Sequence, residues 1–138
     1  MGKVMTAIKL ENWGDIELLA AGKRREPPRS VETEALVDTA ATKLYLKRSV
    51  IRQLGLRKIG QGTSHTMSNR REPRRIFSVV RLEIQGRTGQ FSVIELSDDL
   101  PNIIGQIPLE DLDWVVDPKR RRLIPNPEHK NGVRFDDY

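Results

Sequence analysis

The 138-residue sequence predicts a mainly β domain carrying one or two short helices. Three observations lead there. Short segments of alternating or continuous apolar character recur, with turn signals between them. The clearest of them, "IFSVVRLEIQ" and "QFSVIEL", are separated only by "GRTG", the pattern of a hairpin. One stretch, "KRSVIRQLGL", switches to helical spacing.

In chain order, "KVMTAIKLE" (3–11) is a strand, and "NWGD" (12–15) turns it into a second strand, "IELLAA" (16–21). A basic, proline-containing loop leads to the strand "VETEALV" (31–37). The small-residue loop "DTAAT" separates it from the short strand "KLYL" (43–46). In the helix 47–56, Val50, Ile51 and Leu54 share one face and Gly55 ends it. Residues 57–75 are polar with little core-forming material, so they read as a projecting hairpin or mobile loop. Strands 76–85 and 90–96 form the hairpin around 86–89, and "SDDLPN" is loop. "IIGQI" (103–107) is a short strand interrupted by Gly105, where another backbone comes close. Pro108 opens a short helix, since proline suits a first helical turn. "WVV" and "RRLI" flank "DPKR" as a closing hairpin in which Trp114 packs inward. The expected organisation is a single domain over 1–127, with N-terminal strands in 1–30, followed by a polar tail at 128–138.

Composition narrows function by exclusion. Zero cysteines remove disulfides, thiol catalysis and cysteine-ligated zinc, and two histidines, His65 and His129, leave little for a histidine metal site. Mean hydropathy is −0.53. No apolar run approaches the roughly 20 residues of a membrane helix, and the N-terminus has no secretory pattern, so the expected setting is cytoplasmic without membrane contact. The net charge of +5 lies in three clusters, 22–29, 69–75 and 119–122, each beside a turn signal. Charge runs of this kind mostly face water from loops. Phosphate binding is the sharper alternative, but aromatics at 5% give poor material for base stacking, so nucleic acid is a less favoured partner.

Three features stand apart from the β framework: Asp38 in its small-residue loop, the polar excursion at 60–75, and Ile103-Ile104-Gly105. Singly, each has a bland reading. An aspartate before a threonine most often accepts local backbone hydrogen bonds in a turn. A glycine after two isoleucines more often answers a packing need. In this order and spacing, however, the sequence resembles the retropepsin-like aspartic proteases. The first motif of that family stands here as Val37-Asp38-Thr39-Ala40-Ala41, the second as Ile103-Ile104-Gly105 with a short helix after it. A flap hairpin falls at 60–76 between them. "VIRQLGL" and the "VVDP" hairpin look like the bacterial branch, and the resemblance spans about 31–127.

The resemblance implies a closed β-barrel with a flap, one catalytic aspartate per chain and a homodimer with its active site on the two-fold axis. It implies a peptide or protein substrate and no metal or organic cofactor. Asp38 is then the acid and base, Thr39 binds across the dimer, and Ala40 and Ala41 border the substrate. Ile104, Gly105, Gly62, His65 and Met67 fall on the substrate side, although His65 reads better as an exposed polar residue. Three departures matter. Ala40 stands where the family has glycine; if that position needs a left-handed conformation, the alanine costs roughly 1–2 kcal/mol. The flap glycines Gly60 and Gly62 lie near its start, and "SNRREPRR" brings four arginines that favour an acidic substrate or nucleic acid. Lys47 replaces a proline common before the helix, a local capping difference.

Overall fold

The structure, a computed structural model, describes residues 3–65 and 71–129, and only the backbone of residues 64, 65, 71 and 72. The strands are β1 (Val4–Asn12), β2 (Ser30–Val37), β3 (Leu44–Lys47), β4 (Lys58–His65), β5 (Arg71–Ile84), β6 (Arg87–Leu96), β7 (Ile103–Ile104), β8 (Trp114–Asp117) and β9 (Arg122–Pro125). Three short helices interrupt them, α1 (Trp13–Ala20), α2 (Arg48–Leu54) and α3 (Gln106–Asp111). The mainly β class expected from alternation therefore holds.

Seven strands form one sheet in the order β1-β2-β7-β3-β6-β5-β4, and β1 also pairs with β5. That extra pairing closes β1, β2, β7, β3, β6 and β5 into a hydrogen-bonded ring and leaves β4 outside it. Along β1 the residues alternate between core and solvent, with Val4, Ile8 and Leu10 inward. They meet Leu44, Leu46, Val80, Leu82, Ile84 and Ile104 in the main core. Each fully buried leucine of this set contributes about 2 kcal/mol from removal of apolar surface from water. A smaller cluster of Tyr45, Ile94, Leu96 and Ile103 packs against Ala41 and Leu100. Trp114 is buried in the main core as expected, with the Arg87 guanidinium 4.2 Å from its ring.

Several expectations need correction. "IELLAA" is helical, as part of α1, and "NWGD" is the start of that helix. Asn12 caps it by accepting the Asp15 N–H at 3.0 Å. The apolar run misled because Leu18 and Leu19 are exposed; they are not core residues of a strand. The β5–β6 turn lies one residue earlier than "GRTG". Gln85 (φ 48°) and Gly86 (φ 88°) are both left-handed, which suits the twist of a tight hairpin. Strand β7 stops at Ile104, and α3 begins at Gln106, before Pro108. The helix starts early because the Gln106 and Ile107 N–H groups donate to the Ala41 and Thr42 carbonyls at 2.9 Å each. Pro108, with no N–H to satisfy, fits the first turn all the same.

The charge clusters are only partly loops. Residues 71–75 belong to β5. In the 22–29 loop, the Arg29 N–H, Nε and a terminal nitrogen donate to Asp15 at 2.9–3.0 Å, and Arg24 lies 3.5 Å from the same carboxylate. Asp15 is 3% exposed, so this charge is paid for by full hydrogen bonding. Hydrogen bonding and charge from Arg29 hold its carboxyl below the ordinary value.

Candidate active site

Asp38 leaves the end of β2 where three strands meet. Strand β7 runs parallel to β2 (Val37↔Ile104) and antiparallel to β3 (Leu44↔Ile104), so it fills the gap between the strands on either side of the Asp38 loop. The loop is then laced to β7 and α3 through main-chain groups. Asp38 N–H donates to the Ile104 carbonyl at 3.0 Å, and Gly105 N–H donates to the Lys43 carbonyl at 2.8 Å. With the two α3 bonds to Ala41 and Thr42, three successive loop carbonyls, those of residues 41–43, are satisfied without any side chain.

Within the loop, Ala41 N–H closes a turn onto the Asp38 carbonyl at 3.0 Å. Ala40 N–H donates to Asp38 Oδ1, also at 3.0 Å. The turn role open to an isolated aspartate is thus real, and it orients the carboxylate through one oxygen. Asp38 is half-buried, Thr39 and Ala40 are exposed, and Ala41 packs on the smaller apolar cluster. Among the described residues no basic side chain pairs with Asp38.

Gly105 is where the backbones come closest. Its φ of −89° is ordinary, so the requirement is for space alone. A Cβ there would lie 2.6 Å from the Lys43 oxygen and the Thr42 carbonyl carbon. Ile104 is wholly buried and enters the site through its carbonyl. Ala40 departs from the family glycine without strain. Among the described residues other than glycine, positive φ occurs at Gln85, Asp113 and Arg121, and Ala40 is not one of them. The conformational penalty considered for that alanine does not arise, and what remains is one methyl on an exposed surface.

Two residues absent from the sequence expectations hold this floor. Asn102 is 2% exposed; its Oδ1 accepts the Lys47 N–H at 2.9 Å and its Nδ2 donates to the Glu34 carbonyl at 3.1 Å. It ties β2 to the start of α2 from the loop before β7. Asp98 caps α2 by accepting the Ser49 N–H at 2.9 Å, where the N-cap residue Lys47 offers no side-chain bond. Those bonds from Ser49 hold the Asp98 carboxyl below its ordinary value. Both residues lie in "SDDLPN", a run that carries turn signals and gives no hint of long-range partners.

The polar excursion is a hairpin. Its strands pair from Lys58↔Phe77 to His65↔Arg71, placing Gly62 opposite Arg74. Met67 lies outside the described residues, and of His65 the backbone alone is described. The arginines here are not all available to a ligand. Arg75 forks onto Glu95 at 2.8 and 2.7 Å, and Arg74 also has a partner. Among the described residues there is no cluster of His, Asp or Glu able to hold a metal ion. No helix among them is long and apolar enough to cross a membrane.

A family model described as aspartyl protease matches residues 29–106. The chain belongs to that family. No curated protein matches it. The aspartyl protease match takes in the Asp38 loop, the hairpin and Ile103-Ile104-Gly105, the three features that stood apart in the sequence. It ends as α3 begins, so β1, α1 and the β8–β9 pair lie outside the matched span.

Proposed function

We propose that this member of the aspartyl protease family is an endopeptidase that works as a homodimer, with Asp38 supplied once by each chain. The observation that carries the reading is the placement of Asp38. Its backbone is fixed to Ile104, and the residue is half-buried and followed by exposed Thr39 and Ala40. One oxygen is oriented by the Ala40 N–H, which leaves the other for a reacting partner. A single carboxylate does not perform both acid and base roles at once. Two brought within about 3 Å cannot both ionise, so they share a proton; one takes a proton from water while the other polarises the scissile carbonyl. Thr39 lies beside Asp38 on the exposed surface, where a second copy would be met. The β4–β5 hairpin is the cover that excludes water once an extended peptide is bound.

The test is cleavage of a mixed peptide library by the wild-type chain and by Asp38→Asn. We expect the variant to keep its fold and assembly and to lose turnover; equal cleavage by both would overturn the reading. A second reading, a peptide-binding or assembly domain without turnover, is favoured by Ala40 in place of glycine. Ala40→Gly separates the two, because activity confined to that variant would support the binding domain.

A further inference from the structure

Glu95 is a carboxylate in an unusual place. It lies on β6 with its side chain 7% exposed, and its register partner on β3 is Leu46. Burying a charge there is costly unless it is paired and hydrogen-bonded. Arg75 meets that need from β5 with Nε on Oε1 at 2.8 Å and a terminal nitrogen on Oε2 at 2.7 Å. This two-pronged geometry is the strongest form of such a pair. Arg48, the first residue of α2, adds Nε at 3.4 Å from Oε2. The Arg75 guanidinium also lies 5.6 Å from the Phe77 ring.

The position of Arg75 gives the pair its meaning. Strand β5 pairs with β6 only from Ile76↔Ile94 onward, so residues 71–75 are held by β4 alone. Arg75 is therefore the first residue of the hairpin to leave the ring. The ladders are irregular on both strands at this point, between Lys58 and Gly60 and between Phe77 and Val80. Irregular pairing weakens the main chain as a restraint on the angle of the hairpin. The side-chain fork spans that weak point.

We propose that Glu95 is a positioning residue that clamps the root of the β4–β5 hairpin to β6 and α2, and so sets how readily the hairpin moves. Swinging the hairpin away would withdraw Arg75 and leave a buried carboxylate with Arg48 alone. The closed arrangement is favoured by that loss. Strand β3 leads from the Asp38 loop straight into Arg48, so the clamp also ties the hairpin to that loop through α2 and β3. What the hairpin covers rests on the proteolytic reading; the clamp does not.

The experiment is amide hydrogen exchange, segment by segment, on Glu95→Gln and on Arg75→Lys. The second variant changes a half-exposed side chain and keeps its charge, so it remains informative where the first folds poorly. Exchange over 58–65 and 71–75 is expected to rise about tenfold in either variant, with β1 and β2 unchanged. Peptide cleavage should show a raised KM with a smaller change in kcat. Unchanged hairpin exchange in the variants that fold, or an equal rise in β1, would overturn the clamp. A wild-type chain that cleaves no peptide would sink the proteolytic reading, and the exchange data would still decide this one.

Discussion

The floor around Asp38 and the β4–β5 hairpin are held by different chemistry. The floor is fixed by main-chain bonds among residues 36–43 and 102–107, with Gly105 packed too tightly to admit a methyl. The hairpin has an edge strand, glycines with room around them and an ion pair at its root. Main-chain bonds tolerate many side chains but no displacement; a side-chain pair tolerates displacement and depends on two residues. Built this way, the Asp38 loop is the more firmly fixed of the two regions.

The same substitution in both regions gives the sharpest contrast. Gly105→Ala should destabilise by about 3 kcal/mol or prevent folding, because the new carbon meets main-chain atoms that cannot step aside. Denaturant unfolding measures it; a loss below about 1 kcal/mol would show the floor to be pliable. Next in size is Asn102→Ala. It strips partners from the Lys47 N–H and the Glu34 carbonyl and should cost about 2 kcal/mol in the same assay.

Acid separates ion pairs from main-chain bonds. The Asp15 carboxyl is held below its ordinary value of 3.8, so its contribution is complete above that pH and is lost as pH falls through the folded value. The stability gap between wild type and Asp15→Asn should thus be flat near neutrality and shrink below about pH 4. A gap that persists unchanged into strong acid would remove the pair from the account. Smallest of all, Gly62→Ala should change stability by no more than about 0.5 kcal/mol, since the nearest atom to its Cβ is Ile76 Cδ1 at 3.9 Å. A large loss there would make the hairpin as rigid as the floor and erase the contrast.

What could be read from the sequence follows the same division. Strands with one wet face, such as β1 and β5, announce themselves by alternation, and α2 by the spacing of Val50, Ile51 and Leu54 with Gly55 after them. The close approach at Gly105 was legible because an interruption of a short apolar strand has few other causes. Helix α1 was misread although Asn12 and Asp15 carried a capping pattern, since a short apolar run suits strand and helix equally. Asn102, Asp98 and Glu95 were not legible as anchors. Their partners are 49–68 positions away for Asn102 and Asp98, and Glu95 sits between apolar Ile94 and Leu96, where no local pattern reveals that its own side chain is buried. The conformation of Ala40 also needed coordinates, because whether an alanine is strained depends on φ alone.

The bond from Asp38 N–H to the Ile104 carbonyl also dictates an order of events. Synthesis delivers the aspartate before the strand that seats it, which follows β4, β5 and β6 in the chain. Until Gly105 and the opening turn of α3 have emerged, the loop has nothing to be laced to. A nascent chain therefore carries its acid unseated while residues 39–105 are made, and any activity that needs that seat is withheld until the matched region is nearly complete.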